Sequence, residues 1–132
     1  GVGFDFEKGD DVMVLNDCDK VTKIVGHLLQ NAFKHTHKGN VAMGWHVLPD
    51  EKKVRVYVRD TGVGIPDEYK EVVFDMFRKV ESHSLVLYRG AGMGLTIVKH
   101  LSEMLGFKIK FESEVGNGSL FWFDMDVYTS PV

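Results

Sequence analysis

The residues that could do chemistry fall into three groups. The first is a stripe on one helical segment. His27, Asn31 and Lys34 stand at four-and-three spacing, which places an imidazole, an amide and an ammonium along the rim of an apolar helix face. An amide oxygen such as that of Asn31 suits a hard cation of the Mg²⁺ type, which prefers oxygen and keeps several waters. Lys34 could meet a phosphate as a point charge. A solvated helix flank would have the same composition, so the stripe alone leaves both readings open.

The second group is Asp60-Thr61-Gly62-Val63-Gly64-Ile65-Pro66, a carboxylate at the end of a valine-rich run followed by closely spaced glycines. Glycine allows close backbone approach to a flat ligand, or positive φ. An ionised aspartate only accepts hydrogen bonds, so it favours a ligand edge bearing an amino group, such as the exocyclic amine of adenine. The other reading is a tight turn with an Asx-type cap. The third group, Gly90-Ala91-Gly92-Met93-Gly94, runs into a helical segment. Glycines leading to a helix N-terminus turn backbone N–H groups toward an anion, which fits a di- or triphosphate. No strand leads directly into it, and Leu95-Thr96 stands where a Walker lysine would follow, so neither a Rossmann nor a P-loop site is expected. The three groups together, in this order, point to a nucleotide site.

The elements that must position them follow from periodicity. Val2, Phe4 and Phe6 alternate as in a half-buried strand, and Val12 to Leu15 forms a second short apolar run. Asp17 and Asp19 are both plausible caps for a helix in which Val21, Ile24, Val25, Leu28, Leu29, Ala32 and Phe33 recur at three-and-four spacing. This helix is expected to end near Lys38, with Gly39 as its cap. Val41 to Leu48 and Lys53 to Arg59 read as strands joined at Pro49-Asp50-Glu51, and a short helix is expected over about Asp67 to Phe77. A further helix over about Leu95 to Leu105, capped by Gly106, precedes strands Phe107 to Glu114 and Leu120 to Tyr128. The expected class is α+β: a two-layer sandwich in which helices cover one face of a mixed, mostly antiparallel sheet.

Bulk properties restrict the function further. The 132 residues suit a single domain over 1–132. A net charge of −3 argues against nucleic-acid binding. No run approaches the roughly 20 apolar residues of a membrane helix, and the N-terminal residues lack signal-peptide character. The single cysteine, Cys18, permits no internal disulfide, which makes a reducing cytoplasmic compartment the expectation.

The motifs resemble those of the ATP-binding catalytic domain of two-component histidine kinases, in the GHKL superfamily that also contains gyrase and MutL-type ATPases. Lys23 to Thr36 looks like the N-box and Asp60 to Pro66 like the first glycine box. Val73-Phe74-Asp75-Met76-Phe77 resembles the F-box, Gly90 to Leu95 the second glycine box, and Gly116-Asn117-Gly118-Ser119 the last glycine motif. The resemblance runs from about Val12 to Met125 and implies the Bergerat-type fold.

It also implies ATP and Mg²⁺ as cofactors, with Asn31 on the metal and Lys34 on phosphate as the catalytic pair. Asp60 would bind the adenine amine. Gly62, Gly64, Ile65, Phe77, Arg89, Gly90, Gly92, Met93, Gly94, Leu95 and Ser119 would complete the nucleotide site. Residues 78–89 would form an ATP lid anchored by Phe74 and Phe77, and its apolar Leu85-Val86-Leu87 would pack on a partner domain.

Two departures refine this expectation. ATP-hydrolysing relatives, and the serine-phosphorylating branch, carry a glutamate four residues before the N-box asparagine; here that position is His27. None of the six histidines has the surroundings of a phospho-acceptor, so the acceptor is expected on a separate helical bundle of a longer parent. The implied partners are that bundle and, indirectly, a response-regulator receiver domain. The parent would be homodimeric, with or without a membrane anchor, and the isolated domain monomeric. A GHKL ATPase, a serine kinase or an inactive nucleotide-sensing module are the alternatives.

Overall fold

The computed structural model describes residues 1–14, 16–70 and 92–128. Its elements are β1 (Val2–Glu7), α1 (Cys18–His35), β2 (Gly39–Leu48), β3 (Lys53–Asp60), α2 (Gly92–Leu105), β4 (Lys110–Glu114) and β5 (Gly118–Asp126). Short 3₁₀ turns occupy Pro49–Glu51 and Asp67–Tyr69. The strands form one sheet in the order β1-β2-β3-β5-β4. β1 runs parallel to β2 because α1 is the crossover between them. The remaining pairs are antiparallel. The sheet is therefore mixed and mostly antiparallel, as expected.

α1 forms where its apolar period is strongest, and its start is set by one cap. Asp17 is extended, and its Oδ1 accepts the Lys20 amide at 3.1 Å. Asp19, the other candidate cap, lies inside the first turn, where its charge complements the helix dipole. The helix ends at His35 rather than near Lys38. Thr36 turns extended there, and its hydroxyl donates to the Ala32 carbonyl at 2.8 Å, satisfying one of the end carbonyls. Gly39 is thus not the cap but the first residue of β2, at φ +132°, where a side chain would run into Thr61.

β3 shows the alternation read from sequence. Val54, Val56 and Val58 are buried, whereas Arg55, Tyr57 and Arg59 face outward. The buried face joins Ile24, Leu28 and Ala32 of α1, Leu95 and Val98 of α2, and Phe121, Phe123 and Met125 of β5 in one core. Phe121, Phe123, Ile24 and Leu28 are all but fully buried, each stabilising the fold by roughly 1.5–3 kcal/mol. On the open face Arg55 donates from Nε and Nη2 to the two carboxylate oxygens of Asp124, at 2.8 and 3.0 Å.

Other boundaries differ from expectation. β1 is a strand but not half-buried along its length. As the sheet edge it leaves Phe4 48% and Phe6 56% exposed, each ring tilted against one neighbour, Phe33 or Trp45. Val12 and Val14 pack on the core without forming a strand. β4 begins at Lys110 rather than Phe107, whose ring instead stacks on Phe123 at 4.8 Å. β5 starts earlier, at Gly118, and ends at Asp126. Residues 67–69, where the expected short helix begins, make a 3₁₀ turn. The rest of that expected helix, the F-box and the proposed lid lie outside the described residues.

Candidate nucleotide-binding site

Asp60 ends β3, and it is 5% exposed. Its Oδ1 accepts the Gly62 amide at 2.9 Å and the Ser119 amide at 3.2 Å, which clamps the carboxylate between its own loop and β5. Burial pushes its pKa above the ordinary carboxylate value, while the two amides act in the opposite direction. Among the described residues no donor reaches Oδ2, so one carboxylate oxygen is free to accept from a ligand.

The loop after Asp60 is fastened on both sides. The Val63 amide donates to the His35 carbonyl at the end of α1, at 3.2 Å, and the Val63 carbonyl accepts the Gly116 amide at 3.0 Å. The Ile65 amide donates to Ser113 Oγ on β4 at 2.7 Å. Thr61 adds a further tie: its Oγ1 accepts the Asn40 amide at 3.0 Å. A side chain at position 62 would meet the His35 carbonyl. One at position 64, where φ is +75°, would meet the Glu114 carbonyl. Both glycines are therefore demanded by close backbone approach and, at Gly64, by positive φ.

Asn31 lies one turn before His35 on α1. It is 5% exposed, and its Oδ1 is buried with no hydrogen-bond partner among the described residues. An unsatisfied buried amide oxygen costs about 1–3 kcal/mol, a cost that ligation of a hard cation would remove. This oxygen fits the metal role assigned to it. Lys34, in the same stripe, is exposed and can reach outward to an anion, and His27 is half-buried. His35 is 3% exposed, and burial first, then the charges of Lys34 and His37, lower its pKa to about 4.

The described part of α2 opens at Gly92, earlier than expected, and takes in Gly92, Met93 and Gly94. The amides of a first turn have no intrahelical acceptor and are available to an anion. The Leu95 side chain, 1% exposed, packs in the core, as does that of Ile65. α2 packs against α1. Phe77, Arg89 and Gly90 lie outside the described residues.

The structure thus gathers Asp60, Gly62, Ser119 and, through Ser113, Ile65 into one hydrogen-bonded cluster tied to the end of the Asn31 helix, with Gly64 packed close to the Glu114 carbonyl. A cavity of about 340 Å³ at these strand ends is lined by Asp60, Thr61, Ser113, Asn117 and Ser119, among others. Another, of about 440 Å³, lies on the open sheet face over His46, Tyr57 and Trp122, apart from this cluster. Sequence reasoning gave no role to Ser113 or Thr61. The available signal for Ser113 was a polar residue at the same alternation phase as Phe111.

Comparison with known proteins accords with this geometry. Residues 16–129 match the family of histidine kinase-, DNA gyrase B- and HSP90-like ATPases, and the chain belongs to that family. It is 36% identical over 125 residues to Histidine protein kinase 1 of Candida albicans, covering 89% of this chain and 5% of that protein. It is 38% identical over 108 residues to the sensor histidine kinase AruS of Pseudomonas aeruginosa, covering 80% of this chain and 11% of that one. The fold is similar to that of full-length ShkA in complex with AMPPNP. That match has a TM-score of 0.81 and 27% identity, and covers 100% of this chain and 27% of that one. The chain therefore spans only a small part of the length of these relatives.

Proposed function

We propose that this chain binds Mg²⁺·ATP and presents it for transfer of the γ-phosphoryl group to a histidine on a separate helical bundle, as part of a longer histidine kinase. The observation that carries this reading is the buried Oδ1 of Asn31, which has no hydrogen-bond partner among the described residues and lies one turn from the helix end that is hydrogen-bonded to the Asp60 loop. Asp60 would hold the adenine amine through its free oxygen. Lys34 and the first-turn amides of α2 would face the phosphates. Mg²⁺ held at Asn31 would neutralise phosphate charge. Phosphoryl transfer needs positioning and charge neutralisation more than covalent chemistry from the protein.

The relatives being histidine kinases, and ShkA being in complex with an ATP analogue, support this reading over the alternatives. So does α1 itself. Its one carboxylate is Asp19, three turns away from Asn31, so no residue of this helix can act as a carboxylate base for water. We further place the nucleophilic imidazole on the partner bundle, with a receiver domain as the later acceptor and the cytoplasm as the compartment.

The test is transfer of labelled γ-phosphate from ATP to the parent's helical bundle, added to this chain with Mg²⁺. Acid-labile label on the bundle with wild type, falling to background with Asn31→Ala, is the expected result. Undiminished transfer by Asn31→Ala would remove the metal role.

A further inference from the structure

Ser113 on β4 faces Ser119 on β5, and its hydroxyl stands at a junction of three groups. The Ile65 amide donates to Ser113 Oγ at 2.7 Å, Ser113 Oγ donates to the Gly118 carbonyl at 3.0 Å, and Ser119 Oγ lies 2.8 Å away. A serine hydroxyl has one proton and two accepting lone pairs. The Gly118 carbonyl can only accept, so it takes the one Ser113 proton. The Ile65 amide can only donate, so it takes one lone pair. With either hydroxyl able to donate across the 2.8 Å contact, the one arrangement that satisfies all three contacts together uses the proton of Ser119 there. That hydroxyl is thereby turned back toward Ser113 and keeps only lone pairs for any other neighbour.

Ser119 is also the cross-strand partner of Asp60, so the two side chains leave the same face of the sheet. Asp60 Oδ2 is a pure acceptor as well. We propose that Ser113 is a positioning residue for base selectivity: by consuming the Ser119 proton, it makes the Asp60–Ser119 pair an accepting edge that takes a 6-amino purine and rejects a 6-oxo purine. This inference rests on the ATP reading. A 6-oxo purine could still offer its N1–H to Asp60, but its O6 would meet Ser119 lone pair against lone pair. Without the Ser113 hydroxyl, Ser119 is free to rotate and donate to that O6.

The experiment is calorimetric titration of the chain with ADP and with inosine diphosphate, for wild type, Ser113→Ala, Ser113→Thr and Ser119→Ala. The ADP preference of wild type should fall about five- to tenfold in Ser113→Ala, the loss of roughly one hydrogen bond's discrimination. Ser113→Thr, which retains the hydroxyl, should keep it. A merely structural role would weaken both nucleotides alike and leave the ratio unchanged, which would overturn the proposal. Ser119→Ala provides an independent reading should Ser113→Ala fail to fold. It should lower the preference too, and an unchanged ratio there would also overturn the proposal. Wild type that binds neither nucleotide would overturn the ATP reading itself, and this inference with it.

Discussion

The Val63 amide donates to the His35 carbonyl at 3.2 Å, so the loop that follows Asp60 is fixed to the last turn of the helix that carries Asn31. Through this bond the Asp60 carboxylate and the Asn31 amide share one frame. Gly116, bonded to the Val63 carbonyl at 3.0 Å, extends the frame to the β4–β5 turn. The consequences of this arrangement can be measured at several residues.

Gly64 and Gly106 both have positive φ, at +75° and +83°, but their surroundings differ. A side chain at position 64 would strike the Glu114 carbonyl, whereas position 106 opens into free space. Gly106→Ala should therefore cost only the left-handed backbone term, about 1–2 kcal/mol. Gly64→Ala should add an overpacking term and cost roughly 2–4 kcal/mol. Denaturant melts of the two variants should differ in midpoint accordingly, and equal losses would contradict the close packing of the loop against β4.

His35 gives the fold a pH dependence of definite sign. Its pKa is about 4 in the folded chain, against an ordinary value of 6.5. Between these values the unfolded chain binds the additional proton, so stability rises with pH. The contribution is complete above about pH 6.5 and is lost as pH falls through 4. Glu7, Asp17 and Asp124 have lowered pKa values and act below their ordinary carboxylate range, while Asp60, raised by burial, acts above it with the opposite sign, so His35 is the group that makes stability rise with pH in the upper part of the window. His35→Phe should flatten the melting temperature between pH 6.5 and 5. A slope as steep as that of wild type would contradict the buried neutral imidazole.

Much of this frame is legible in the sequence, for physical reasons. α1 is marked by seven apolar residues on one face, and β3 by strict alternation, because each element buries a single side. Asp60 and its glycines stand out because their local backbone chemistry is special. What sequence cannot carry is pairing between distant segments. The parallel docking of β1 on β2 leaves Phe4 and Phe6 exposed at an edge, although their alternation matches that of a buried strand. α1 ends at His35 and not near Gly39 because Thr36 finds its acceptor within the helix, while Gly39 is needed for contact with Thr61, 22 residues away in sequence. Ser113 has no local signature at all. Its importance lies in reaching Ile65, Gly118 and Ser119 at once.

His27 stands four residues before Asn31, and α1 offers no carboxylate near Asn31. The chain alone with Mg²⁺·ATP should therefore release phosphate at close to the rate of buffer and should not label itself. Phosphate release and acid-labile labelling are both directly countable. Steady turnover, or stable label on any of its own histidines, would contradict the assignment of the nucleophile to a separate bundle.

In the proposed function Asp60 reads the adenine amine of bound ATP. Titration calorimetry of the non-hydrolysable analogue AMPPNP with Mg²⁺, comparing wild type with Asp60→Asn, tests it most directly. The amide can still accept from Gly62 and Ser119, but it replaces a charged acceptor with a group that can present a donor to the ligand amine. Affinity should fall about 10- to 100-fold, the worth of one hydrogen bond to a charged group, with the melting temperature of the free chain little changed. Equal affinity in the two proteins would contradict the account.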